Sequence, residues 1–312
     1  MAHGTHDFHD DPRNERVLIW VNGELLPRER AVVSVFDSGF VLGDGVWEGL
    51  RISGGHPAFL DQHLDRLYQG ARAILLDIGM TRDELAAAIY ATLAANGMHD
   101  GVHVRLMITR GVKATPYQDP RVTIGPPTVV IIPEHKEVLP RTVTDGITLF
   151  TTHVRRATPD TLDPKLNSHS KLNDITACIQ AYTAGADEAL MLDPQGFVAT
   201  CNSTHFFIVV GTPEEPEVWT SDGRFCLGGI TRSNVLRMCR DGGIDARETT
   251  FSLVDVYSAQ EAFVTGTFAG VVPVRTVDGR TIGSGRRGPV VERLQQMYGA
   301  LVADDVAGRT AS

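Results

Sequence analysis

The chain has 312 residues, 42% hydrophobic and 21% charged, the proportions of an ordinary globular protein too long for one minimal domain. Its formal net charge of −9 opposes contact with phosphate backbones and excludes nucleic acid as the main partner. No apolar run approaches the ~20 residues that cross a bilayer, and residues 1–16 lack the apolar stretch of a secretory signal. A cytoplasmic location is expected.

Residues 1–16 are expected to form a flexible tail. His3, His6 and His9 recur there every third residue, but a solvated tail fixes no metal-ligand geometry. Residues 17–136 are expected to form a small α+β domain. Apolar alternation over 17–21, closed by Asn22-Gly23, predicts a strand and a hairpin turn. A second strand is predicted at 31–36, and another at 46–52 after the glycine-rich stretch 37–51. Apolar spacing at Leu64, Leu67, Ala71, Ile74 and Leu75 predicts a helix over 61–78. The cap-and-acid pattern Thr81-Arg82-Asp83-Glu84 opens a second helix that runs to 96. Strands at 102–109 and 128–132 follow.

Residues 137–146 are polar and proline-bearing and are expected to link to a larger domain at 147–305, with 306–312 as a second tail. That domain opens with a strand at 147–152 and an irregular polar segment at 155–170. A helix over 171–184 is closed by Gly185. Short strands at 189–192, 206–210, 217–220 and 261–265 alternate with turns, and helices are predicted at 230–240 and 289–302. Cys178, Cys201, Cys226 and Cys239 are too widely spaced for a zinc pair or a disulfide framework.

Three segments carry possible chemistry. Gly43-x-Gly45-x-x-x-Gly49 misses the dinucleotide fingerprint by one residue and precedes a strand instead of a helix, so nothing there would hold a pyrophosphate. Gly228-Gly229-Ile230-Thr231 opens a helix, whose free N–H groups favour a phosphate dianion. Thr265-Gly266-Thr267 offers further hydroxyl and amide donors, and Arg66, one turn after His63, offers a charged fork. Finally, residues 163–174 place Lys165, Asn167, His169 and Lys171 just before a helix. There a partly buried lysine would be able to form a Schiff base, or the segment is simply a solvated loop.

Together these residues resemble the class IV aminotransferases, the fold-type IV pyridoxal-phosphate enzymes. Similarity runs in order through residues 36–51, His63-x-x-Arg66-Leu67, Thr109-Arg110-Gly111, residues 185–189, Gly229-Ile230-Thr231-Arg232 and Thr265-Gly266-Thr267. It covers about residues 17–302. The resemblance implies an α+β, two-domain fold-type IV architecture with the site between the domains, a homodimer, and pyridoxal 5'-phosphate as cofactor. It further implies amino transfer between a small amino acid or amine and a 2-oxo acid. Arg66, Gly229, Ile230, Thr231, Gly266 and Thr267 would bind the cofactor, and Arg110 would help capture a substrate carboxylate. Trp47 would wall the substrate pocket, and His169 or His205 would be polar groups near it. Two departures stand out. Gapless alignment puts Asn167 at the family's Schiff-base lysine and Thr200 at the acid that meets the pyridine nitrogen. Lys171 or Lys165 would then supply the amine, Lys171 being preferred because its position faces the family's site. The alternative is a fold-type IV member without that lysine, running a lyase, hydrolase or cofactor-independent reaction.

Overall fold

The computed structural model describes residues 4–6 and 9–310. The chain divides into two units. The first comprises His9–Glu137, Leu166–Ser170 and Val302–Ser312; the second comprises Met1–Phe8, Val138–Lys165 and Lys171–Leu301.

In the first unit, β1 (Leu18–Val21) and β2 (Glu24–Pro27) pair through the predicted Asn22-Gly23 turn, where both residues have positive φ. The predicted strand at 31–36 does not form. Its amides close local turns (Ala31 to Pro27, Val32 to Arg30), and Val32, Val33, Val35 and Phe36 stay exposed. β-branched composition makes a strand only where an edge is available to pair. The glycine stretch holds a short helix, α1 (Ser38–Leu42), capped by the Asp37 carboxylate and ended by Gly43 at φ 69°. Then come β3 (Gly45–Ser53), β4 (His56–Pro57), α2 (Leu60–Ala73), α3 (Arg82–Ala95), β5 (Val102–Thr109) and β6 (Thr128–His135). α2 stops before the predicted 78 because Leu75 adopts φ 51°, turning Leu76 and Ile78 back into the core. α3 has the predicted Thr81–Glu84 capping box. The sheet order is β2-β1-β6-β5-β3-β4, and the inward face of β3 (Val46, Leu50, Ile52) packs with Leu60, Leu64 and Leu67 of α2.

The second unit runs α4 (Pro140–Thr144), β7 (Ile147–Thr151), α5 (Pro159–Leu162), α6 (Leu172–Thr183), β8 (Glu188–Leu192), β9 (Val198–Cys201), β10 (His205–Gly211) and β11 (Pro216–Thr220). It continues with α7 (Ile230–Asp241), β12 (Asp245–Glu248), α8 (Leu253–Tyr257), β13 (Glu261–Gly266), β14 (Gly270–Val277), β15 (Arg280–Thr281) and α9 (Pro289–Thr310). Its sheet order is β12-β11-β10-β13-β14-β7-β8-β9, with β15 on β14. Alternation along β10 sends Phe206 and Ile208 into one core, and Phe207 and Val209 into the other, beneath α7. Val235, Leu236 and Cys239 of α7 are buried there, the face the sequence predicts.

The two expected tails and the linker carry structure. Thr5 is buried, the Asn14 side chain exchanges hydrogen bonds with the His135 backbone, α4 occupies 140–144, and α9 continues to 310. His3 lies outside the described residues. Among the described residues no helix is long and apolar enough to cross a membrane, and no group of three His, Cys, Asp or Glu is arranged to hold a metal.

Candidate active site

In the first unit, a buried charged cluster forms where β3 faces α2. Glu48 lies in the inward register of β3 with no exposed surface. Its carboxylate accepts from Arg66 Nε and Nη2, each at 2.7 Å, and from His63 Nδ1 at 2.7 Å. His63 and Arg66 are three residues apart on α2, so both side chains reach the same carboxylate. Burial alone would push the Glu48 carboxyl up, but Arg66 and His63 outweigh it and hold it below the usual range. Burial pushes the His63 imidazole down, against the pull of Glu48. Its Nε2 is buried with no hydrogen-bond partner, as expected of a neutral ring donating through Nδ1. The two-point grip of Glu48 fixes the guanidinium plane of Arg66.

Along the edge of β3 that does not pair with β5, the 166–170 segment runs antiparallel to the strand, with Ser168 opposite Val46. Asn167 Nδ2 donates to the Trp47 carbonyl at 2.7 Å, and the Asn167 carbonyl accepts from the Trp47 N–H at 3.1 Å. The Trp47 indole N–H donates to the Ser168 carbonyl, and His169 bonds the backbone of Gly45 and Val46. Asn167 is thus a buried structural clip, and Trp47, Asn167 and His169 lie together. Arg110 is committed elsewhere. Its guanidinium grips Asp44 at 2.7 and 3.0 Å and donates to the carbonyls of Ile74 and Leu75. The expected carboxylate-capturing arginine therefore holds the α2–α3 connection to the start of β3.

Arg105, which the sequence does not single out, is the second arginine near Trp47. Its guanidinium lies 3.8 Å from the ring centroid of Trp47 and makes no ion pair among the described residues. Burial lowers its pKa, only partly offset by Glu134 and Glu48. The alternation of β5 was the available signal: Val102, Val104, Leu106 and Ile108 are buried to 0%, which leaves Arg105 on the opposite face, toward Trp47.

In the second unit, the expected phosphate segments converge. α7 begins at Ile230 with Gly229 as an N-cap that offers no side-chain acceptor, so the first amides of the helix lack a capping oxygen. Gly229 is packed so closely against the His205 ring that a Cβ would clash with it. His205 sits opposite Thr265 in the β10–β13 register. Thr265 is fully buried, and its hydroxyl has no partner. Gly266 opens the loop that carries Thr267, and a Cβ on Gly266 would meet the Thr204 methyl at 3.3 Å. Thr200 donates to the Thr204 carbonyl at 2.9 Å and lies 3.5 Å from His205 Nδ1. The Thr231 hydroxyl is 3.3 Å from that of Tyr298.

A phosphate dianion fits this donor set: an uncapped helix start, an orphaned buried hydroxyl and two glycines at close approach. The lysines flank the docked segment. Lys165 is exposed, in a turn opened by the Asp163 side chain, and makes no ion pair among the described residues. Lys171 is the N-cap of α6, with its ammonium 3.9 Å from Asp174, which also bonds Arg156.

Residues 45–277 match the family described as amino-transferase class IV. The chain is 41% identical to a branched-chain-amino-acid aminotransferase-like protein 2 of Arabidopsis thaliana over 92% of its length and 50% of that protein's. It thus spans about half the length of such relatives. It is 39% identical to a putative branched-chain-amino-acid aminotransferase of Methanocaldococcus jannaschii, over 90% of this chain and 94% of that one. Among solved structures, the branched-chain amino acid aminotransferase of Escherichia coli superposes with a TM-score of 0.84 at 27% identity, covering 92% of this chain and 95% of that one. Another branched-chain amino acid aminotransferase, solved with pyridoxamine 5'-phosphate, superposes with a TM-score of 0.86 at 30% identity, covering 93% of this chain and 95% of that one. The mixed helix-and-sheet fold is that of the fold-type IV enzymes.

Proposed function

The chain belongs to the class IV aminotransferase family, and on that premise we propose that it is a pyridoxal-phosphate-dependent aminotransferase. It passes an amino group between a small amino acid or amine and a 2-oxo acid, as a cytoplasmic homodimer. The observation that carries this reading is the uncapped start of α7 together with the buried Thr265 hydroxyl, which has no partner among the described residues. In the second unit, the amides of Ile230 and Thr231, the Gly229 and Gly266 backbone and the Thr267 hydroxyl hold the phosphate; for Arg66, in the first unit, the cofactor-binding role rests on the family resemblance. When bound, the cofactor supplies an electron-withdrawing ring that stabilises negative charge on the carbon bearing the amino group.

The protein's own residues divide the remaining work. Arg105, with its guanidinium over the Trp47 ring, receives the substrate carboxylate in the role first expected of Arg110. The Thr200 hydroxyl stands where the resemblance implies an acid; with its proton given to the Thr204 carbonyl, it serves a protonated ring nitrogen only as an uncharged acceptor. Of the two lysines, Lys165 carries the ammonium free of any ion pair among the described residues, whereas Lys171 is held near Asp174. Lys171 alone is partly buried, however, the condition under which a lysine forms a Schiff base, and we assign the covalent attachment to it. Asn167, buried at the usual lysine position, supports a second reading, a member that runs a lyase or hydrolase-type reaction without that attachment.

One preparation separates these readings. Purified protein incubated with pyridoxal 5'-phosphate should show a visible absorbance band that an amino donor bleaches. Borohydride reduction and peptide mapping should then find the label on Lys171. A label on Lys165 moves the role to that residue. A colourless preparation that ignores the cofactor favours the second reading.

A further inference from the structure

Residues 4–6 dock on the second unit, at the two loops that frame the proposed phosphate pocket. Thr5 is buried, and its hydroxyl and N–H both donate to Glu188 Oε1. The other oxygen of Glu188 accepts from the Thr204 hydroxyl at 2.7 Å. Glu188 is 3% exposed, and burial raises its carboxyl pKa while the donors from Thr5 and Thr204 pull it back. Its hydrogen bonds are therefore what keep a polar group tolerable at that depth. Thr204 is the pivot of the 200–205 turn: its carbonyl accepts from the Thr200 hydroxyl and the Cys201 amide, and its methyl faces Gly266. A second contact comes from the next residue. The exposed ring of His6 stacks on buried Phe268, with centroids 5.0 Å apart and planes at 23°. Phe268 directly follows Thr267. Gly4 approaches the Asp187 carbonyl so closely that a Cβ would lie 3.2 Å from it, which seats the segment at the start of β8.

We infer that Thr5 and His6 are positioning residues for the phosphate pocket: Thr5 secures the 200–205 turn through Glu188, and His6 secures the 266–268 loop through Phe268. Neither touches the ligand itself. Without Thr5, the Glu188 carboxylate loses two of its donors and keeps only those from Ser203 and Thr204, the carboxyl takes up a proton or turns, and Thr204 is released from its place beside Gly266. Without His6, the Phe268 ring loses its cover and the loop bearing Thr267 gains freedom. This inference rests on the proposed cofactor binding only for its functional consequence; the docking itself does not.

The test uses the full chain with Thr5→Val and His6→Ala, singly and together, and with Thr5→Ser as the conservative control. Amide hydrogen exchange over 200–205 and 265–268 reads the loops directly, and quenching of protein fluorescence reads the dissociation constant for pyridoxal 5'-phosphate. The double variant should exchange faster in both loops and bind the cofactor about tenfold more weakly, the effect of losing a hydrogen bond to a charged group. Thr5→Ser, which keeps the hydroxyl, should restore both readouts. Unchanged exchange in the double variant overturns the inference, as does faster exchange with unchanged affinity. His6→Ala removes only an exposed ring and decides the matter for the 266–268 loop if Thr5→Val fails to fold. If the unaltered protein binds no pyridoxal 5'-phosphate, the functional reading falls, and the exchange data alone judge whether the segment holds the loops.

Discussion

At the scale of single residues, the arginines within and just after β5 differ in their partners, which divides structure from the proposed binding. Arg110 spends its guanidinium on Asp44 and two carbonyls, while Arg105 lies on Trp47 without a carboxylate partner among the described residues. Arg105→Ala should therefore raise KM for the amino acid about tenfold or more with little loss of stability. Arg110→Ala should lower the urea midpoint and leave KM nearly unchanged, and the reverse pattern would return the carboxylate role to Arg110. Glu48 and His63 set the response to acid. Both pKa values are lower in the folded state than in the unfolded chain. The unfolded state thus binds more protons below each ordinary value, and the stability these groups contribute is lost as pH falls. Loss should begin below about 6.5 through His63 and steepen below about 4.5 through Glu48, with a slope of roughly 1.4 kcal/mol per pH unit for each proton. Glu48→Ala strands Arg66 and should cost about 3 kcal/mol in urea unfolding at neutral pH. A variant that keeps the wild-type slope below pH 4.5 would remove Glu48 from the account.

At the scale of elements, α7 is both a packed helix and a proposed anion site, and the two roles meet at Gly229. Val235, Leu236 and Cys239 anchor the helix on the sheet, and the close approach of the His205 ring leaves no room for a side chain at the N-cap. Gly229→Ala must displace His205 or the helix start. Overpacking of this kind costs about 1–3 kcal/mol, and the displaced amides should weaken cofactor binding about tenfold. Isothermal titration with the folded variant checks this, and an affinity equal to wild type would separate α7 from phosphate binding. The Asn22-Gly23 hairpin, the Thr81–Glu84 capping box and the apolar face of α7 were legible in sequence because each depends on neighbours a few residues apart. The absent strand at 31–36 was not, because strand formation depends on a partner edge that local composition does not reveal.

At the scale of the whole molecule, α6 buries Ala177 and Ala181 and turns Leu172, Ile175, Ile179 and Tyr182 to the exterior. Four large apolar side chains along one face of an exposed helix mark an association surface. This supports the proposed homodimer, whose light-scattering mass should be twice the 33.9 kDa of the chain. Ile175→Asp with Ile179→Asp should reduce it to that of a single chain. A monomeric wild type would end the dimer proposal, and a dimer indifferent to both substitutions would place its interface elsewhere.

The order of motifs from the glycine stretch through Gly229-Ile230-Thr231 to Thr265-Gly266-Thr267 was enough, by itself, to identify the family and its fold, because those segments are short and locally encoded. Tertiary structure alone decided which polar groups are free to act. Glu48 proved to be the partner of Arg66, Arg110 proved to be tied to Asp44, and Asn167 proved to be a clip on Trp47. It also drew Thr5 out of an expected tail and onto Glu188. These pairings join residues from 18 to 183 positions apart. The donor that satisfies a buried acceptor is chosen by distance in space, and no local pattern of residues encodes that distance.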